Sequence, residues 1–181
     1  NKVCLIKLSS PAKVISVFQA QTGTAPYSAG CLHPDGLIYL TGTEGGDLVL
    51  WDLKSKSLAG TLSVPDKATA VQAVRVSPNG YHIAAAFKDG RVCVWDLRKQ
   101  KLVATMNQES NEPATAVTFD PAAKYVLFGS GSSLTAVPVK ELNKAASNIS
   151  FGSNIFFLQW TLEDGIIAAS ENGFVVYGAP N

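Results

Sequence analysis

Two histidines, three cysteines and a cluster of glycines are the residues of this chain whose types could do chemistry. A catalytic imidazole needs a nucleophile to deprotonate and a carboxylate to orient it. His33 opens a Pro-Asp-Gly turn and His82 opens an apolar run. Neither has a Ser, Cys or carboxylate partner at a recognisable spacing. Cys4, Cys31 and Cys93 are odd in number and lack the paired spacing of metal ligands. Cys4 and Cys93 sit in apolar strand patterns, where a buried, inert thiol is expected. Such a set favours a reducing cytosolic or nuclear compartment over a secreted one. Gly42, Gly45 and Gly46 read as turn glycines, because no helix follows to complete a phosphate loop. No catalytic residue, metal or cofactor is therefore expected, and attention moves to the elements that carry these residues.

Those elements repeat. His33-Pro-Asp-Gly through Trp51-Asp52-Leu53 is followed 44 residues later by Ser77-Pro-Asn-Gly through Trp95-Asp96-Leu97. A period near 44 that ends in Trp-Asp marks WD repeats, each folding as one four-stranded blade of a β-propeller. With strands a to d running outward from the axis, the first repeat places them at 27–32, 38–43, 48–53 and 58–62. The second places them at 71–76, 82–87, 91–97 and 102–106. Lys88-Asp89-Gly90 between b and c reads as a type I′-like hairpin turn. Two degenerate repeats follow. The third has strand a from Thr115, b at 125–130 and c at 134–139, with Pro138 where Trp would stand. The last has a at 156–160, b at 166–170 and c at 174–177.

Val3 to Leu8 aligns with a strand c and Lys13 to Phe18 with a strand d, so the chain reads as opening inside a blade. The expected architecture is all-β: a WD-repeat β-propeller with about four blades of a seven-bladed ring. Residues 1–18 form a partial blade, and blades follow at 19–62, 63–106, 107–151 and 152–181. At 181 residues, with 46% apolar and 16% charged residues, the composition is that of one globular domain. A net charge of +1 argues against a strong overall field for nucleic acid or membrane. No apolar run has the length of a membrane-spanning helix, and no membrane partner is expected.

The residues now in view resemble a known family. His33-Pro-Asp-Gly-Leu-Ile, Thr41-Gly-Thr and Trp51-Asp-Leu-Lys54 resemble one blade of the pre-mRNA-processing factor nineteen family. Asn79-Gly-Tyr81, Ile83-Ala-x-Ala, Asp89-Gly and Val94-Trp-Asp-Leu-Arg-Lys99 resemble the next. The resemblance covers residues 21–101, and over 113–181 it rests on the order of the repeats. Members are U-box ubiquitin ligases of the spliceosomal nineteen complex. They form tetramers through a coiled coil. Neither a U-box nor a helical heptad pattern is present in this sequence, so the ligase step maps onto no residue here. The resemblance implies a nuclear propeller that recruits splicing-complex proteins and ubiquitination substrates, within mRNA processing and with a link to DNA repair. Two rival readings remain: a WD scaffold of an unrelated complex, and an RNA-contacting module.

Within such blades Trp51, Asp52, Trp95, Asp96 and Asp89 are expected to be structural. The Trp packs between sheets with its indole N–H seeking an acceptor, and the Asp residues bond backbone. The Gly-His dipeptide usual before strand a is missing from every repeat, so the hydrogen-bond network of these blades is incomplete. Candidate partner-binding residues lie at the b–c turns: Glu44, Asp47, Phe87, Lys88 and Arg91. Phe87 is either tucked under the neighbouring blade or a docking anchor. The a–b and c–d connections share one face, with ten basic residues, among them Lys54, Lys56, Arg98, Lys99 and Lys101, against seven acidic ones, net +3. The d–a and b–c connections make the other face, net −3. Ordinary loop solvation and a disc that offers opposite faces to different partners both fit this sorting.

Overall fold

The computed structural model describes residues 2–19, 25–64, 69–107, 112–142, 147–161 and 165–177. Strands β1 (Lys2–Lys7) and β2 (Lys13–Gln19) pair as a hairpin. Two four-stranded meanders follow. The first holds β3 (Tyr27–Leu32), β4 (Ile38–Thr43), β5 (Leu48–Asp52) and β6 (Ser57–Leu62). The second holds β7 (Val71–Val76), β8 (His82–Phe87), β9 (Val92–Asp96) and β10 (Lys101–Met106). A third comprises β11 (Ala114–Phe119), β12 (Tyr125–Ser130), β13 (Ser133–Pro138) and β14 (Ser147–Ser150). The last is β15 (Ile155–Trp160), β16 (Ile166–Ser170) and β17 (Gly173–Tyr177). All pairing is antiparallel and sequential, as in WD-repeat propeller blades. Among the described residues no helix is long and apolar enough to cross a membrane.

The apolar pattern follows each strand's place. Middle strands are covered on both faces, so β8 and β9 are buried almost throughout and read as continuous apolar runs. Outer strands β2 and β10 alternate, because one face is wet. The innermost strands β3, β7, β11 and β15 lie side by side in series, and apolar clusters fill the gaps between successive sheets. Strand β14, a polar Ser-Asn-Ile-Ser segment, has no apolar signature and was not expected.

Two regularities recur in the four sheets that follow the β1–β2 hairpin. The inner pair carries a β-bulge at the same place, between Tyr27 and Ala29, Val71 and Ala73, Ala114 and Ala116, and Ile155 and Phe157. The strand beside each bulge holds a small residue: Gly42, Ala86, Gly129 and Ala169 pair with the residue after the bulge. That space is filled by the next sheet. A Cβ on Gly42 would lie 2.4 Å from Val71 Cγ1, and one on Gly129 would lie 2.8 Å from Ile155 Cγ2. Between the second and third sheets, Ala86 and Ala114 share one cluster instead.

The hairpin turns differ from the expectation. The Gly46 amide donates to Thr43 O and the Gly90 amide to Phe87 O. Gly46 and Gly90 have φ of 88° and 86°, whereas Lys88 and Asp89 are absent from the positive-φ residues. This is a type I turn closed by a left-handed glycine, not the type I′ turn, which needs positive φ at both central residues. The register also moves one assignment. Val137 faces Val126 as Trp51 faces Tyr39 and Trp95 faces Ile83, so Val137 holds the Trp position. Pro138 holds the Asp position, opposite Tyr125. It has no carboxylate to cap the following turn, and a 3-10 turn at Val139–Glu141 takes its place.

Candidate functional site

The connections gather at two ends of the sheets. At one end, amides of the c–d turns donate to the a–b turns: Leu53 N to Leu37 O, Leu97 N to Tyr81 O and Val139 N to Lys124 O, at 2.7–2.8 Å. At the other end, the b–c turns are tied to the d–a connections, with Glu44 N donating to Pro26 O and Lys88 N to Ala70 O. Backbone bonding therefore groups the connections into two faces.

The tryptophans are architectural. Trp51 is buried beside Phe18 and Tyr27, with ring centroids 6.0 and 6.3 Å away. Its indole Nε1 donates to Thr41 Oγ1 at 3.0 Å. Trp95 lies in the cluster between the first two four-stranded sheets, with Leu40, Leu48 and Ile83. Ala85 stands at the position of Thr41 and offers no hydroxyl, so the two blades do not share one network.

Asp52 and Asp96 cap the turns that follow them. Asp52 Oδ1 accepts from the amides of Lys54 and Ser55, and Asp96 Oδ1 from those of Arg98 and Lys99. The Arg98 side chain also bonds Asp96, with Nη2 3.0 Å from Oδ2. Chiefly through that bond, aided by the two amides and against the effect of burial, the Asp96 carboxyl is held down at about 2. Arg98 lies over the Tyr81 ring, 4.4 Å from its centroid.

Asp89 acts within its own turn. Its carboxylate accepts from Arg91 Nε at 2.8 Å and pairs with Nη2 at 2.7 Å, while its amide donates to Thr69 Oγ1. Burial alone would raise this carboxyl; the bonds from Arg91 hold it low instead.

The b–c rim is only partly available. Glu44 and Lys88 are exposed. Asp47 accepts a 2.6 Å bond from the Ser63 hydroxyl, and Arg91 is held by Asp89. Phe87 is corrected as a candidate anchor. It is 0% exposed, because the end of strand b is covered by Leu40 and Leu48 of the preceding sheet and by Val71, its cross-strand partner in its own sheet. Thr43 and Ser130, at the equivalent strand end, are buried too.

Two other expectations change. His33 does have a carboxylate partner: its Nδ1 lies 2.9 Å from Asp35 Oδ1, an i to i+2 contact made inside the turn. Its Nε2 lies 3.1 Å from Gly80 O of the next repeat, so both ring nitrogens are engaged, Nδ1 within the turn and Nε2 between repeats. Cys4 is exposed, against the expectation of a buried thiol. Cys93 is buried as expected, and burial pushes its thiol up. Burial likewise raises the Cys31 thiol, to about 11.

Sequence reasoning missed the bulge hydroxyls. Ser28 Oγ, at the first bulge, donates to Val71 O of the next sheet at 2.6 Å, and Thr115 Oγ1, at the third, donates to Ile155 O. A Ser or Thr at the second position of strand a is the signal that could have found them.

Comparison with known proteins gives the family. A family model described as "Nucleolar protein 10-like, N-terminal domain", a β-propeller, matches residues 16–176. The chain belongs to this family. This β-propeller chain is also similar to "Pre-mRNA-processing factor 19 homolog 2" of Arabidopsis thaliana, at 35% identity over 123 residues, 68% of this chain and 22% of that protein. It is similar to "Pre-mRNA-processing factor 19" of Oryza sativa subsp. japonica, at 32% identity over 71% of this chain and 24% of that protein. "Protein LST8 homolog" of Drosophila pseudoobscura pseudoobscura is 34% identical over 46% of this chain and 25% of that protein. The propeller chain thus spans about a quarter of the length of these relatives. The resemblance seen in His33-Pro-Asp-Gly-Leu-Ile and Val94-Trp-Asp-Leu is borne out by these matches.

Proposed function

We propose that this propeller is a protein–protein interaction module of a pre-mRNA-splicing assembly and works in the nucleus. The observation that carries the reading is the similarity to two pre-mRNA-processing factor 19 proteins across about 70% of the chain, on a sheet architecture that displays loops at two ends. Loops carried by a rigid scaffold are where binding residues concentrate. A "nucleolar" family name supports the nuclear setting. In this reading a U-box elsewhere in the complete protein performs ubiquitin transfer, a coiled coil joins four copies, and the propeller selects splicing partners and substrates, with DNA repair as a second setting. The test is affinity purification of the complete protein from nuclear extract, with identification of its companions. Recovery of splicing-complex proteins is expected, and their absence would overturn the reading. The shorter match to LST8 homologs favours, as the second reading, a WD scaffold of another complex, which the same experiment would identify.

Further blades of a seven-bladed ring complete the propeller in this reading. Its support is the apolar surface left open at both ends of the series: Ile6, Val14 and Val17 on one side, Phe174 and Val176 on the other, all about half exposed or more. The 181-residue chain alone should therefore self-associate; a compact monomer in sedimentation would overturn ring completion.

A further inference from the structure

We propose that the face formed by the a–b and c–d turns docks an acidic protein segment that also carries large apolar side chains. The proposal rests on the interaction-module reading and assigns that module a face and a partner chemistry.

The acidic and basic groups of this face are used differently. Its aspartates bond the backbone of their own turns, although Asp35 stays 44% exposed and Glu141 of the same face is exposed. Asp35 accepts from Leu37 N at 2.7 Å, Asp52 from Lys54 N and Ser55 N, Asp96 from Arg98 and Lys99 N, and Asp120 from Tyr125 N at 2.6 Å. A short side chain at these turn positions folds back onto its own backbone. The lysines of the same turns cannot do so. Lys54, Lys56, Lys99, Lys101, Lys124 and Lys140 are all exposed, and none forms an ion pair among the described residues. On the opposite face Glu44 and Glu171 are exposed beside Lys88, so both signs meet solvent there.

Between the lysines stand apolar side chains. Leu37, Tyr81 and Tyr125 are 49%, 45% and 45% exposed at adjacent a–b turns. Amphipathic and apolar anchors ringed by unpaired cations complement a segment of carboxylates and large apolar residues. Single-stranded RNA is the poorer fit. Base stacking needs bare aromatic faces; Arg98 covers one face of Tyr81, and Leu37 offers no ring.

The test uses the full chain, a fluorescein-labelled synthetic peptide of repeating Glu-Glu-Leu, and labelled oligouridylate, read by anisotropy. The peptide should bind more tightly than the oligouridylate. The triple variant Lys54→Glu, Lys99→Glu, Lys124→Glu should weaken the peptide about tenfold or more, with Glu171→Lys leaving it unchanged. If that triple fails to melt like the parent, the corresponding Lys→Gln triple decides, with a several-fold loss expected. The proposal is overturned by a parent that ignores the peptide, by tighter binding of oligouridylate, or by lysine variants that bind as the parent does. A protein that assembles with splicing factors yet ignores the peptide loses only this face. One that assembles with none loses the module reading itself.

Discussion

The interface between the first and second four-stranded sheets and the one between the second and third fill the same space in different ways. The first pairs Gly42 with Val71 and carries Trp95; the second pairs Ala86 with Ala114, and Val137 stands at the Trp position of the third sheet. Volume removed from one sheet is supplied by its neighbour. What repeats is the fit between sheets, and the residue types at matching positions are free to vary together.

The largest break in the comparison should come from Trp95→Ala, with a loss of about 3–5 kcal/mol as for large buried aromatics. Val137→Ala in the third sheet should cost clearly less, and thermal melting of the two variants checks the ranking. Equal losses would mean that the Trp position is no more demanding in one interface than in the other.

Gly42→Ala comes next, at about 1–3 kcal/mol of overpacking, because the new methyl meets Val71. Adding Val71→Ala converts the site to the Ala–Ala arrangement of the next interface, and should recover part of the loss in a double-mutant cycle. Purely additive effects would show that the two positions do not share this space.

Ser28→Ala removes the hydroxyl that joins β3 to β7 and should cost about 1 kcal/mol. Hydrogen exchange should show the loss of protection concentrated at these inner strands. An unchanged pattern would remove the bulge hydroxyl from the account.

The smallest effect concerns Asp96 and is read on the acid side. Its carboxyl lies near 2 in the fold against an ordinary 3.8, so its ionised form is favoured by folding. That contribution is present above the ordinary value and is lost as pH falls through about 2. Asp96→Asn should therefore flatten the acid side of the stability profile across this window relative to the parent. An identical acid limb would show that the carboxylate is not specially held.

Much of this was legible in the sequence, since strand positions follow from apolar runs punctuated by Gly, Asp and Pro. Tyr27–Leu32, Ile38–Thr43, Val71–Val76 and His82–Phe87 fall where the pattern placed them. Strand β14 was not legible, because an outer strand of Ser, Asn and Ile needs no apolar face. Pro138 misled by one place, since register is fixed by cross-strand partners and not by residue type. At the candidate surfaces, counting charges set an expected sign for each face, and Asp66, Lys67, Glu109, Lys144, Glu163 and Asp164 of that count lie outside the described residues. Counting could not show that Asp52, Asp96 and Asp120 bond the backbone of their own turns while the lysines do not. Nor could it show that Phe87 is covered, because Leu40 and Leu48, which cover it, come from the preceding repeat.

The central claim, an interaction module working through its lysine face, is tested most directly by complementation of splicing. Nuclear extract depleted of the complete protein would be supplied with the parent, with the Lys54→Glu, Lys99→Glu, Lys124→Glu triple, or with Glu171→Lys. The parent and Glu171→Lys should restore splicing of a reporter transcript, and the folded triple should not. Full restoration by the triple, or none by the parent, would contradict the account.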